Sequence, residues 1–212
     1  MSIFKKNDLL LFQGDSITDC GRNESQDGLG SGFVSIIRGF LGTLEKDLDL
    51  KIINRGISGD RTAELLARWK EDCEDLKPSV LSIKIGVNDV WRFLETWNGQ
   101  TYIGPEEYKN NYRKLLDRAL SANIRRLILC SPTTIENNQN QKLSDLLAER
   151  RDITRELARE YDAVYVPFQE RQLQLLRDKP GILWTLDGCH PTLAGHAALA
   201  HVWLSALGFL TD

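Results

Sequence analysis

A serine, an aspartate and a histidine are the residues of this 212-residue chain whose types and spacing could support nucleophilic chemistry. Ser16 follows a short apolar run through Gly14 and Asp15, so its hydroxyl can project from the end of a buried strand. Asp187 precedes His190 by three residues, so one tight turn can present both side chains to the same place. The carboxylate can then bind one ring nitrogen while the other takes the serine proton. Ser16, Asp187 and His190 are the predicted nucleophile, orienting acid and base of an acyl transfer.

Acyl transfer also needs hydrogen-bond donors for the oxyanion that forms during attack. Two further segments offer them, residues 54–60 and residues 86–89. We expect the donors to be the backbone N–H groups of Ser16 and Gly56 and the side-chain amide of Asn88. A glycine lets the backbone approach a substrate without a Cβ, and an asparagine amide donates a hydrogen without carrying a charge that titrates.

The elements that must position these residues are strands alternating with helices. Apolar runs of strand length occupy residues 9–12, 51–54, 80–85, 127–130 and 163–166. Helical spacing of apolar residues lies between them, at residues 33–44, 108–120 and 143–161, and Pro191 is expected to open a last helix. This alternation predicts one α/β domain over residues 1–212, with a five-stranded parallel sheet between two layers of helices. Ligands of such sheets bind beyond the carboxyl ends of the strands, where three of the four segments lie.

In this order, the four segments resemble the SGNH hydrolases, whose name comes from a serine, a glycine, an asparagine and a histidine in four such blocks. Here the blocks read Gly14-Asp15-Ser16, residues 54–60, residues 86–89 and Asp187-Gly188-Cys189-His190-Pro191. Each block alone also fits an ordinary turn or helix cap. The resemblance covers nearly the whole chain and implies a flavodoxin-like SGNH hydrolase fold and a serine esterase.

Longer strings around the blocks resemble one branch of that family, the intracellular acetyl-xylan esterases, which deacetylate short xylo-oligosaccharides. These strings are residues 14–22, 56–59 and 85–92, whereas residues 93–103 depart from the branch in length and composition. Trp91 and Trp184 lie near catalytic blocks and are candidate platforms for a sugar ring; both also fit the core or an interface. Asp15 is expected to brace its loop and is grouped with these candidate substrate-binding residues.

Several alternatives remain open at this stage. A lysophospholipase- or thioesterase-like member would take longer acyl chains, and a catalytically inactive module of the same fold would only bind carbohydrate. Asp15, Asp89 and Asp187 could converge for glycosidic cleavage. A metal site from Asp187, His190 and His196 is conceivable but matches no known ligand motif, so no cofactor or metal is expected.

Composition and charge indicate which partners to expect. A net charge of −3 and the absence of basic runs argue against a nucleic-acid partner. No apolar stretch approaches the length of a membrane span or a signal-peptide core. Four cysteines without a Cys-x-x-Cys pair favour free thiols. We therefore expect a cytoplasmic enzyme with a small-molecule ester substrate, an acetylated sugar, and a homo-oligomer is possible.

Overall fold

A central sheet of five parallel strands organises the computed structural model, which describes residues 3–44, 47–93, 96–133 and 141–210. The strands are β1 (Leu9–Gly14), β2 (Lys51–Gly56), β3 (Val80–Lys84), β4 (Arg126–Cys130) and β5 (Val164–Val166). Their spatial order is β2-β1-β3-β4-β5, which is the flavodoxin-like order. The predicted fold class is confirmed, and all five apolar runs form strands.

Helices cover both faces of this sheet. They are α1 (Ser16–Asp19), α2 (Phe33–Leu44), α3 (Thr62–Ala67), α4 (Val87–Trp91), α5 (Pro105–Ser121), α6 (Gln141–Glu160), α7 (Phe168–Asp178) and α8 (Leu193–Ala206). A short π-helical turn, Lys70–Glu74, follows α3. In the part of the chain that is described, no helix has the length and apolar composition needed to cross a membrane.

Alternation along the strands divides the core into two halves, as expected when both faces of a parallel sheet are buried. In β1, Leu10 and Phe12 pack with α2 and α8 on one face, whereas Leu11 packs with α3 and α5 on the other. The central strands β1, β3 and β4 are almost wholly buried and consist mainly of apolar residues, whereas the edge strand β2 is only partly buried.

The start of the last helix differs from the sequence-based expectation. Helix α8 begins at Leu193, two residues after Pro191, and Thr192 is its N-cap, with the hydroxyl accepting the N–H of Gly195. Pro191 instead forms an isolated antiparallel bridge with Thr185. The helix of residues 105–121 starts as expected, with Pro105 in its first turn and two acidic residues after it.

Strand order brings the predicted site together. The nucleophile loop follows β1, and its two neighbours in the sheet, β2 and β3, precede the loops with the candidate oxyanion donors. Gly14 pairs with Gly56 of β2 and with Lys84 of β3, so the three strands end level. The three loops therefore leave the sheet side by side at its carboxyl edge, next to the point where the strand order reverses.

Candidate active site

Ser16 is the first residue of α1, directly beyond the end of β1. Gly14 allows this tight transition, because a Cβ there would lie 2.3 Å from the carbonyl oxygen of Lys84. Asp15 caps the helix by accepting the N–H of Ile17 at 3.1 Å. This geometry leaves the Ser16 Oγ 2.9 Å from Nε2 of His190.

The second half of the hydrogen-bonded chain is built within one turn. Nδ1 of His190 lies 2.7 Å from Oδ2 of Asp187. The other carboxylate oxygen of Asp187 accepts the backbone N–H groups of Cys189 and His190, at 2.9 and 2.7 Å. With the carboxylate accepting the Nδ1 hydrogen, a neutral ring presents the lone pair of Nε2 to Ser16.

Opposing effects act on the Asp187 carboxyl. Its partial burial would raise the pKa, but hydrogen bonds from the backbone and ring of His190 and from the backbone of Cys189 outweigh burial and lower that pKa. Asp187 therefore stays ionised at neutral pH, in the form that orients an imidazole. Ser16, Asp187 and His190 form one continuous hydrogen-bonded series, as their types and spacing predicted.

Gly56 does not occupy the position expected of an oxyanion donor. Its N–H donates to Oδ1 of Asn54 at 2.9 Å, and a Cβ at Gly56 would lie 2.3 Å from the backbone nitrogen of Asp19. Gly56 therefore packs against α1, and its amide hydrogen is already used. The expectation that Gly56 faces a substrate is contradicted by this geometry.

Gly59, three residues further along, lies where Gly56 was expected. It lines the same pocket as Ser16 and Asn88 and has a φ of +87°, which favours glycine. Among the described residues, the backbone N–H groups of Gly59 and Ser16 have no hydrogen-bond partner. The amide of Asn88 donates one hydrogen to the carbonyl of Asp60 at 3.0 Å, which leaves its second hydrogen for a ligand.

Asp15 is a loop-bracing residue and not a substrate contact. Its carboxylate is fully buried, and both of its oxygens lie 3.1 Å from Nζ of Lys84, which is also buried.

Asp89 is likewise buried and accepts the N–H and the hydroxyl of Thr62. Burial raises the pKa of Asp89 to about 6 despite these two hydrogen bonds. Asp187 lines the pocket, but neither Asp15 nor Asp89 does. The three carboxylates therefore do not converge, as glycosidic cleavage would require.

The two predicted tryptophans differ in location. Trp91 lines the pocket. Trp184 is buried, donates its indole N–H to the carbonyl of Lys179 at 3.2 Å, and shares a small cavity with Leu175 and Ala198 instead. Trp184 is therefore a packing residue between α7 and α8 and does not line the pocket, which matches the core alternative given for it above.

His196, the third member of the metal site considered above, has partners of its own. Nδ1 of His196 accepts the N–H of Phe33 at 3.2 Å, and Nε2 lies 3.4 Å from Sγ of Cys20. Burial lowers the pKa of His196 to about 4, so the ring is neutral at physiological pH. It braces α8 against α2, as expected of an ordinary helix position.

An open cavity of about 280 Å³ connects these groups. Its walls contain the hydrogen-bonded series, the candidate donors, and four residues that the sequence did not single out as lining a pocket: Ser58, Arg92, Trp97 and Cys189. A larger depression of about 460 Å³ lies beside Arg38 and Asp49, but none of the described serine, cysteine or histidine residues lines it. The signal for Trp97 was present in the sequence, since it lies in the segment that departs from the acetyl-xylan esterase branch.

Comparison with known proteins identifies the family. The model of the GDSL-like lipase/acylhydrolase family matches residues 12–198. The chain belongs to this family. A curated relative, an acetylxylan esterase of Geobacillus stearothermophilus, is 32% identical over an alignment of 206 residues, with 94% of each chain covered. Membership of this family, with esterase relatives, makes the chain a carboxylic ester hydrolase.

Several solved structures superpose on this chain along nearly its full length. The crystal structure of Axe2, an acetylxylan esterase from Geobacillus stearothermophilus, has a TM-score of 0.89 and 32% identity, covering 99% of this chain and 98% of that one. A putative GDSL-like lipase from Parabacteroides merdae has a TM-score of 0.90 and 36% identity, covering 98% of both chains. LAE5, an α/β hydrolase from the metagenome of Lake Arreo, has a TM-score of 0.89 and 31% identity, covering 99% of both.

Proposed function

We propose that this GDSL-type hydrolase removes acetyl groups from acetylated xylo-oligosaccharides or related sugars, through an acetyl-enzyme on Ser16. The observation that carries the proposal is the 2.9 Å contact between the Ser16 hydroxyl and Nε2 of His190. The other ring nitrogen of His190, Nδ1, lies 2.7 Å from the carboxylate of Asp187. Solved catalytic mutants of Axe2 replace a serine, an aspartate or a histidine, and the last two are three positions apart, as Asp187 and His190 are.

Attack on the ester begins with proton transfer from the Ser16 hydroxyl to Nε2 of His190. Ser16 Oγ adds to the acetyl carbonyl carbon, and the imidazolium, paired with Asp187, then donates its proton to the departing sugar oxygen. A water molecule then gives a proton to His190 while its oxygen adds to the acetyl carbon. The bond from that carbon to Ser16 Oγ breaks, His190 returns the proton to Ser16, and acetate leaves. The continuous hydrogen bonding from Ser16 to Asp187 supports this sequence of proton transfers.

The tetrahedral oxyanion has three proposed donors around it. They are the N–H of Ser16, the N–H of Gly59 and the second side-chain hydrogen of Asn88. The first two have no partner in the described chain, and Asn88 is held in place by its bond to Asp60. Donors fixed before the reaction need no reorganisation when charge develops, which is the main source of rate in such sites.

We infer an acetyl group as the acyl part of the ester from the acetylxylan esterase relatives. The cavity of about 280 Å³ is bounded by Trp91, Arg92 and Trp97, and is close to the lower limit for small-molecule sites. We infer a small-molecule ester as the substrate, and the sugar assignment is supported by the acetylxylan esterase relatives.

Two measurements test the proposal. Ser16→Ala should abolish hydrolysis of acetylated xylobiose and labelling by an organophosphonate, while the matched variant Ser58→Ala, in the same pocket, should still be labelled. Wild-type protein should hydrolyse p-nitrophenyl acetate faster than the octanoate. Full activity of Ser16→Ala would refute the nucleophile, a preference for octanoate would favour a lipase-like enzyme, and failure of organophosphonate to label wild type would favour an inactive binding module.

A further inference from the structure

Trp97 is an aromatic side chain that remains half exposed at the active-site pocket. Its exposed fraction is 45%, and it lines the same cavity as Ser16 and His190. A large apolar ring beside a catalytic centre leaves apolar surface in water, which is the pattern of ligand-binding sites.

The position of this ring is fixed by two neighbours. The guanidinium of Arg92 lies 5.1 Å from the centroid of the Trp97 ring, in cation–π geometry. The edge of the indole lies over Gly59, where a Cβ would be 2.3 Å from the Cζ3 atom. Arg92 is itself buried, and its Nε donates to Oε1 of Gln100 at 3.2 Å. The ring therefore has a guanidinium on one face and the proposed oxyanion loop at its edge.

The backbone that carries Trp97 is a tight turn. Trp97 and Gln100 form an antiparallel bridge, and the N–H of Gln100 donates to the carbonyl of Trp97 at 2.8 Å. Between them, Asn98 and Gly99 have φ angles of 50° and 72°. Two successive positive φ values in an Asn-Gly pair are typical of a type I′ turn. Because Gln100 also binds Arg92, the turn and the guanidinium hold the indole as one preorganised unit.

We propose that this unit of Arg92, Trp97 and Gln100 is the subsite for the alcohol part of the ester, with the indole stacking on the apolar face of a sugar ring. The inference rests on the proposed function. An oligosaccharide is larger than the cavity of about 280 Å³, so its sugar must extend to the surface, where a half-exposed ring can meet it. The acetyl group is small and must lie beside Ser16 and Gly59.

The test compares two acetate esters that share the acyl group and differ in the alcohol. For Trp97→Ala we expect KM for acetylated xylobiose to rise about tenfold, as loss of an aromatic contact implies, and KM for ethyl acetate to change by a much smaller factor. Trp97→Phe should retain most of the affinity for the sugar ester. Calorimetric binding of acetylated xylobiose to Ser16→Ala, with and without Trp97→Ala, gives a readout independent of turnover.

Phe93→Ala is the matched control, because Phe93 is also about half exposed but packs on Tyr102 and does not line the pocket. Its KM values should equal those of wild type. If Trp97→Ala raised KM equally for both esters, or left KM for the sugar ester unchanged, the proposed subsite would be wrong. Faster hydrolysis of longer acyl esters by Trp97→Ala would assign the ring to the acyl side instead. A wild-type protein inactive on both acetates would instead count against the proposed function.

Discussion

The side chain of Arg68 forms an ion pair with Asp60, with 2.7 Å between Nε and Oδ2. The same guanidinium donates to the carbonyl of Gly14 at 3.3 Å. Gly14 ends the strand before Ser16, and Asp60 follows Gly59. Arg68 thus links the loop of the proposed nucleophile to the loop of a proposed oxyanion donor.

Arg68→Lys should lower kcat while leaving KM and the fold close to wild type. A lysine has a single point charge and cannot replace a planar guanidinium that reaches several acceptors. Displacing the two loops relative to each other by up to about 1 Å should lower kcat by up to about a hundredfold. Steady-state kinetics on p-nitrophenyl acetate measure this effect. Arg118→Lys, which alters the surface ion pair with Glu74, is the control and should be fully active; equal kcat values for the two variants would contradict the linkage.

Asp60→Asn should change how stability depends on pH. Burial, opposed by Arg68, raises the pKa of Asp60 to about 6 from an ordinary value of 3.8. The folded state therefore holds the proton more tightly than the unfolded state, so the stabilisation from this group is complete below pH 3.8 and is lost as the pH rises to about 6. Asparagine does not titrate.

The free energy of unfolding of wild type minus that of Asp60→Asn should consequently fall between pH 4 and pH 6 and be flat above pH 7. Urea titrations at several pH values give this difference. Asp72→Asn removes another carboxylate partner of Arg68 and keeps Asp60, so this variant should retain the wild-type pH dependence. If this difference in the free energy of unfolding rose with pH, the pKa of Asp60 would not be raised in the folded state.

Gly59→Ala and Gly56→Ala should fail in different ways. At Gly59, a side chain at φ +87° strains the loop and displaces Trp97, so kcat should fall by about 10²–10³ as for loss of an oxyanion donor. At Gly56, a Cβ would lie 2.3 Å from the backbone of Asp19, so the main effect should be a lower melting temperature. Thermal unfolding and kinetics of both variants separate the roles. A selective kcat loss at Gly56, with normal stability, would restore the original assignment.

Lys84→Met should be strongly destabilising, because Asp15 would remain buried without its cation. Breaking a buried pair from one side costs about 3–5 kcal/mol. The double variant Lys84→Met with Asp15→Asn should recover part of that loss, since asparagine keeps the N-cap of α1 without a charge. Denaturant unfolding measures both values, and a double variant no more stable than Lys84→Met alone would argue against the charge as the cause.

Sequence reasoning succeeded where the information is local. The strands are apolar runs bounded by turn residues, and Asp187 and His190 are close enough in sequence to meet within one turn. It failed where a side chain elsewhere decides the outcome. Gly56 and Gly59 look alike in sequence, and only the amide acceptor of Asn54 shows which N–H is already used.

Tryptophan positions were ambiguous for a similar reason. Trp184 and Trp97 differ by their tertiary surroundings, since one is packed between two helices and the other held beside a guanidinium. The helices of four to six residues, α1, α3 and α4, are too short to show a period in the sequence. The cytoplasmic location, the oligomeric state and the single-domain organisation stay predictions.

The level ends of β1, β2 and β3 have one more consequence. Neighbouring strands are held about 4.8 Å apart by their backbone hydrogen bonds. The sheet therefore fixes the spacing of the groups at the start of the loops that follow these strands. Side chains in the loops can change while the interval between nucleophile and oxyanion donors stays set by the backbone. Substrate preference can therefore vary from one relative to another without resetting the distance on which the reaction depends.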